Sequence, residues 1–303
     1  MASPRLFEPR LLRARKRRAV AGFAEAAFLH ARAAADLAER LEAIPRRFER
    51  VLELGGGGLF SAAAATRGEL RARLGVVVHA DMACGDLIID PEHLPFAVES
   101  FDLIASPLLL HWVNDLPDAL VQLRRILRPD GLLLASIFGG DTLQELRFSL
   151  IEAESELTGG AGPRVAPFAR LQDVAHLLQR AGFALPTADR DVIIVRYGEP
   201  MRLLADLRAM GETAALAERS PRALSRRILA RACEIYRERF ADPDGRVRAT
   251  FEIVTATGWA PHESQQKPLK PGSAKARLAD ALGVDERRAG EAVPPVGDRF
   301  ASP

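Results

Sequence analysis

The chain has 303 residues, room for one large α/β domain with an added lobe or for two smaller domains. Apolar residues make up 48% and charged residues 27%, a composition that excludes a disordered chain. The 42 basic and 40 acidic side chains nearly cancel, so no whole-molecule field draws the chain to nucleic acid or to an anionic membrane. Lysine stands only at positions 16, 267, 270 and 275; the remaining basic residues are arginine, a skew that fits a GC-rich genome rather than a function. Cys84 and Cys233 are too few for a disulfide framework or a zinc site. No apolar run approaches the roughly 18 residues of a membrane span.

In chain order, the N-terminus carries Arg5, Arg10, Arg13, Arg15, Lys16, Arg17 and Arg18 against Glu8. It reads as a solvated basic helix of a cytoplasmic bacterial protein, with a presequence for the mitochondrial matrix as the alternative. Phe23, Ala27, Phe28, Ala34, Leu37 and Leu41 recur at helical spacing over 23–41. The period then changes. A short buried strand over 51–54 runs into four glycines, and 61–73 is alanine-rich and helical. Strands are expected over 76–80, 87–89 and 101–110, a helix over 116–127, a turn at 128–131 and a strand over 132–138. Helices over 141–157 and 171–180, strands over 191–197 and 250–257, and a helical insert over 201–240 complete the pattern. Strands and helices alternating at this pace imply an α/β fold with a parallel sheet.

A strand that runs straight into glycines and then a helix lets backbone approach a nucleotide-like ligand. A dinucleotide fingerprint needs a glycine at the sixth position, and Gly55–Gly58 is followed instead by Leu59 and Phe60, which favours S-adenosylmethionine. Glu53, just before the glycines, is placed to hold the ammonium of a methionine moiety. Asp81, at the end of the second strand, is the candidate for the ribose hydroxyls, because a carboxylate can chelate a vicinal diol. Asp90 closes the next strand and can accept from an adenine amino group.

The stretches "VLELGGGG", "DPEHLPF", "SFDLIASPLLLHWVNDLPDAL" and "LRPDGLLLASIFGGDTLQELR" resemble class I S-adenosylmethionine-dependent methyltransferases. More narrowly, the chain is similar to the branch holding the biotin-pathway malonyl-carrier-protein methyltransferase and the mitochondrial complex I assembly factor, credited with arginine hydroxylation. "HWVNDLP", "FGGDTLQELR" and "TGWAPHESQQKP" point to the assembly-factor side. The resemblance runs over most of the chain, about 6–282. It implies a Rossmann-like sheet, mostly parallel with its last strand antiparallel, and S-adenosylmethionine as cofactor. It also implies that Glu53, Gly55 and Gly57 surround the methionine part, Asp81 takes the ribose and Asp90 the adenine. Ser106 and Leu110 would line the pocket beside the sulfonium. The expected organisation is a basic helical segment (1–45), the cofactor-binding core (46–158), its C-terminal half with a helical insert (159–260, insert 200–240) and an irregular tail (261–303).

Two departures from the family pattern carry expectations. Leu59 replaces the third glycine of E/D-x-G-x-G-x-G, and its side chain is expected to crowd the cofactor. Only nine residues separate Asp81 from Asp90, too few for a helical crossover, so the two strands they close are not expected to be regular neighbours.

Methyl transfer relies on proximity and orientation and needs no catalytic dyad. His111, after the fourth strand, is the candidate base or acceptor contact, against a bland role as a packed helix-start residue. Asp141 and Glu145 read as helix-capping carboxylates. His79 and Asp81 form half of a two-histidine, one-carboxylate iron pattern, which arises easily by chance, and no metal site is assigned. Arg226, Arg227, Arg231, Arg237 and Arg239 on the insert suit an acidic carrier protein or a subunit loop, or simply a solvated face. The expected function is an S-adenosylmethionine-dependent enzyme acting on a protein, a complex I subunit or an acyl carrier protein, without nucleic acid or a transmembrane segment. The alternatives are an arginine hydroxylase of complex I assembly, or an assembly chaperone whose cofactor site has decayed.

Overall fold

Strand periodicity and helix periodicity alternate along the chain, and the computed structural model converts them into a three-layer α/β sandwich. It describes residues 5–219 and 224–266, together with Asp280 and Gly283. Met1–Glu263 form one compact unit and Ser264–Pro303 a second, of which only 264–266, Asp280 and Gly283 are described. The remainder of the tail motif, with Lys267, Lys270 and Lys275, lies outside the described residues.

The sheet uses β1 (Phe48–Leu54), β2 (Leu74–Asp81), β3 (Leu87–Ile88), β4 (Phe101–Pro107), β5 (Leu127–Phe138), β6 (Ala184–Tyr197) and β7 (Val247–Trp259). Their order is β3-β2-β1-β4-β5-β7-β6. β1 through β5 pair in parallel, and β7 is antiparallel to both β5 and β6. The order reverses between β1 and β4, and in an open α/β sheet ligands bind at the carboxyl ends of the strands at such a switch point. The helices are α1 (Pro9–Ala19), α2 (Phe23–Ala26), α3 (Phe28–Glu42), α4 (Leu59–Ala65), α5 (Gly68–Arg73), α6 (Leu116–Ile126), α7 (Gln144–Thr158), α8 (Leu171–Arg180), α9 (Pro200–Ala209) and α10 (Arg226–Phe240). No helix among the described residues is long and apolar enough to cross a membrane.

The period of two decides which face each strand residue covers. Val51, Leu103, Ala105, Leu132 and Leu134 meet Ala34, Leu37, Ala38 and Leu41 of α3, one stripe at i, i+3, i+4, i+7. Their neighbours Leu52, Ile104, Leu133 and Ala135 point the other way, onto Leu120 and Leu123 of α6 and Val174 and Leu178 of α8. A further cluster joins α7, α9 and α10 to the far end of β7 through Leu150, Leu203, Ile235 and Phe251. The insert between β6 and β7 therefore shares a core with the sheet.

Several expectations change. β3 is a two-residue stub that pairs Leu87 with Ala80 and Ile88 with Asp81. The chain returns through a tight loop in which the Asp86 amide donates to the His79 carbonyl, so no helix is needed for so short a pairing. The expected turn at 128–131 is absorbed into β5, with Asp130 at φ +62° and a register shift opposite Phe101–Leu103. α7 starts at Gln144 rather than at 141, and the buried Glu145 carboxylate takes the Thr250 amide and hydroxyl instead of capping its helix. The edge strand β6 is longer than its apolar run because an antiparallel edge tolerates an alternating, half-exposed face, whereas β7, held between β5 and β6, is buried along most of its length.

Candidate active site

The turn after β1 is the centre of the site. Gly55, Gly56, Gly57 and Gly58 all take positive φ, from +62° to +88°, a path that other residues adopt only under strain. A Cβ on Gly55 would lie 2.7 Å from the Leu109 Cβ, and one on Gly56 would run into Pro107. At these two positions the backbone therefore passes against Pro107 and Leu109 with no room for a side chain. Leu59 does not crowd this turn: it begins α4 in a right-handed conformation and packs against the α3-side core.

A cavity of about 250 Å³ opens beside the glycines, at the sheet's switch point. Gly56, Gly57, Asp81, Ala83 and Cys84 form its floor, and Leu108 and Leu109 one wall. Leu108 is itself at φ +52°, a strained position of the kind found at ligand sites. The roof is the N-terminal segment: Lys16 and Ala19 of α1, Val20, and Phe23 and Ala24 of α2. His30 of α3 and Met210, which follows α9, close the far end.

The anticipated residues fall into three groups. Gly57 and Asp81 border the cavity; one Asp81 oxygen accepts from the Ala83 amide. Glu53 is fully buried behind the glycine turn, where it accepts from the amides of Phe60 and Ser61 at 2.9 and 3.0 Å and from the Ser61 hydroxyl at 2.6 Å. It thus caps the start of α4 and fixes the turn. The remaining residues lie outside the cavity lining. Gly55 packs on Leu109, Ser106 donates to the Leu54 carbonyl at 2.9 Å, and Leu110 sits in the core. Asp90 pairs with Arg13 of α1 at 2.7 Å and accepts from the Glu92 amide.

His111 lies in a short 3-10 turn, Leu110–Trp112, and is buried. Its Nε2 is 3.0 Å from Glu212 Oε2, and the same oxygen accepts from Trp112 Nε1 at 2.8 Å. The other oxygen of Glu212 accepts from Lys16 Nζ at 2.5 Å and lies 3.2 Å from His30 Nε2. Four residues from three distant parts of the chain thus converge on one buried carboxylate. Burial opposes its charge, but Lys16, His111 and His30 outweigh that and hold it well below the usual carboxylate range. Burial also pushes His111 down, more than Glu212 raises it, so its ring is neutral. A carboxylate only accepts, so Nε2 of the neutral ring carries the hydrogen and Nδ1 is a bare acceptor. Nδ1 of both His30 and His111 is buried without a protein partner. The His111 ring lies 4.8 Å from Phe138 and 5.7 Å from Phe168, an aromatic wall at the end of β5.

Lys16, His30 and Glu212 carry no motif. A histidine on the apolar face of α3 and a lysine inside an arginine run were the available signals. The pattern His79-x-Asp81 resolves differently: His79 Nδ1 faces Asp86 at 3.1 Å and Nε2 the Ser61 hydroxyl at 3.1 Å. Among the described residues, no group of three or more His, Cys, Asp or Glu side chains is placed to hold a metal ion. On the insert, Arg231 is occupied by Glu156, Glu234 and Glu238, and Arg237 by Glu199.

The strand order, the glycine turn with positive φ and a carboxylate at the end of β2 define the class I nucleoside-cofactor fold. Residues 52–135 match the model of the methyltransferase domain family. The chain is 41% identical over 251 residues to the human protein named arginine-hydroxylase NDUFAF5, mitochondrial, covering 78% of this chain and 71% of that one. The match covers 61% of its rat counterpart. It is 34% identical to the malonyl-[acyl-carrier protein] O-methyltransferase of Halorhodospira halophila, covering 87% of this chain and 91% of the relative. Among solved structures, 1,6-didemethyltoxoflavin-N1-methyltransferase of Burkholderia thailandensis is similar at 16% identity, over 86% of this chain and 94% of that one, with a TM-score of 0.45. The chain belongs to the class I S-adenosylmethionine-dependent methyltransferase superfamily, in the branch these two groups of relatives define.

Proposed function

We propose that the chain binds S-adenosylmethionine in the cavity beside Gly56 and Gly57 and modifies a protein substrate in the assembly of respiratory complex I. The observation that supports this most directly is the cavity lining, which joins a glycine turn, with no room for a side chain at Gly56, to the Asp81 carboxylate under a helical roof. The fit is chemical as well as spatial: the lining offers a carboxylate for a diol, an apolar wall and a buried acceptor without a partner. The relatives named as arginine hydroxylases, 41% identical in the human case, support a protein side chain as the acceptor.

S-adenosylmethionine supplies a methyl group activated on a sulfonium. The chain's own residues orient and enclose it. Gly56 and Gly57 let the backbone approach, Asp81 accepts from the ribose, and the α1–α2 roof excludes water from an in-line transfer. His111, the base expected from the sequence, does not line this cavity; with Nε2 committed to Glu212, its buried Nδ1 serves as a base only for an acceptor group that reaches it past the cavity wall.

Calorimetric titration with S-adenosylmethionine is the first test, and a saturable heat is expected. No heat at millimolar ligand removes the cofactor-dependent readings and leaves the assembly chaperone. Intact mass of complex I subunits and of acyl carrier protein then identifies the acceptor. A gain of a methyl group supports this reading, and a gain of one oxygen assigns hydroxylation instead.

A further inference from the structure

Resting on the cofactor reading above, we propose that Lys16 and His30, linked through Glu212, recognise the amino-acid end of S-adenosylmethionine, the ammonium of Lys16 taking the carboxylate and His30 Nδ1 taking the α-ammonium. The usual candidate for the α-ammonium, Glu53, has both oxygens engaged by the start of α4 and does not border the cavity. An α-amino acid presents one anion and one cation a few bonds apart. It therefore needs a donor and an acceptor that are themselves side by side.

Lys16 and His30 meet that requirement. Both border the cavity, and both meet the same oxygen of Glu212, at 2.5 and 3.2 Å. The side chain of Lys16 is 10% exposed and that of His30 is 2% exposed. Glu212 occupies one face of the Lys16 ammonium, which carries three donors and so retains capacity for a second anion. The same carboxylate faces Nε2 of the His30 ring at 3.2 Å, which directs a hydrogen to that nitrogen. Nδ1 is left as an acceptor that nothing in the protein satisfies. A buried acceptor without a donor is costly, and an α-ammonium supplies the donor. The residue type at position 16 follows from the same geometry. In a chain whose basic residues are otherwise arginine through residue 266, the space between Glu212 and the Trp112 ring, 5.9 Å from Nζ, takes a compact ammonium rather than a guanidinium fork. Neither residue belongs to the glycine motif. They come from the roof and from α3, so the amino-acid end is read only when the roof is in place.

The test compares ligands with and without that end on the full chain. S-adenosylhomocysteine carries the amino acid, its decarboxylated analogue keeps only the amine, and 5′-methylthioadenosine lacks both. Wild-type protein is expected to bind S-adenosylhomocysteine at least tenfold more tightly than either of the others. Lys16→Met is expected to lose that preference over the decarboxylated analogue while binding 5′-methylthioadenosine unchanged, and His30→Phe to lose the preference for the amine. Binding of 5′-methylthioadenosine reports that each variant is folded. Where a variant does not fold, Lys16→Leu or His30→Leu takes its place in the same comparison. Equal wild-type affinity for all three ligands overturns the proposal and leaves the cofactor reading intact. So does an equal fall for S-adenosylhomocysteine and 5′-methylthioadenosine in the variants, which assigns Lys16 and His30 a purely structural role. Failure of the wild type to bind any of them overturns the cofactor reading itself.

Discussion

At the scale of single residues, Glu212 is the most consequential side chain that the motifs do not contain. Removing one partner of a buried charge cluster strands the others without hydrogen bonds, so Glu212→Ala is expected to cost about 3–5 kcal/mol, read from the urea midpoint. The cluster also sets an acid limit. Glu212 titrates below 4.5 in the folded state, so its contribution is present above pH 4.5 and fades as the pH falls through that value. His111, pushed below 6.5 by burial, resists the proton that the unfolded chain accepts, so its contribution is lost as the pH falls below 6.5. Urea midpoints measured across pH should therefore decline from near 6.5 and more steeply below 4.5. His111→Gln should flatten the upper part; an unchanged profile in that variant would show that His111 does not set it. Glycine offers the opposite lesson. The run at 55–58 was legible as a ligand turn because only glycine takes four successive positive φ values.

At the scale of elements, helices and strands follow from local pattern, and their ends follow from chemistry. α6 begins where Asp115 accepts from the Asp118 amide at 3.0 Å, with proline in the first turn. Asp115→Ala is expected to lower stability by about 1 kcal/mol in urea unfolding and to leave affinity for S-adenosylhomocysteine unchanged. A loss of affinity would tie α6 to the site instead. The motif "HWVNDLP" acquires a structural meaning here. His111 and Trp112 reach Glu212, Asn114 accepts from the Phe7 amide at 2.7 Å and donates to Glu92, and Asp115 caps the helix. "FGGDTLQELR" is a clasp between β5 and β7: the Gly139 and Asp141 amides bond Glu252, and Glu145 bonds Thr250. The short β2–β3 connection escaped the sequence because parallel pairing over two residues needs less chain than a full crossover.

At the scale of the whole molecule, the N-terminal helices and the insert between β6 and β7 meet above the carboxyl ends of the strands. Lys16 from one and Glu212 from the other form a buried ion pair between them, beside backbone hydrogen bonds that join Leu6 and Glu8 to Ala217 and Ala215. A roof that borders the cavity should respond to what lies beneath it. Hydrogen exchange is expected to show added protection of 9–26 on binding S-adenosylhomocysteine, with β5 and β7 unchanged. Equal protection with and without ligand would show that the roof is closed independently of the cavity. The basic N-terminal run, read as a solvated helix or a presequence, is in the structure a working surface: Arg13 pairs with Asp90, and Lys16 turns inward.

The sequence by itself determined the α/β alternation, the position of the ligand turn, the carboxylate at the end of β2 and the family. All of these are written in hydrophobic period and glycine chemistry within short windows of chain. Only the tertiary structure decided which polar residues meet beside the cavity. Residues 16, 30, 111 and 212 are far apart in the chain, and whether a buried carboxylate finds its donors depends on how three separate elements pack. The same packing turned Glu53 toward its own helix and Leu59 onto the core, outcomes that no local spacing encodes.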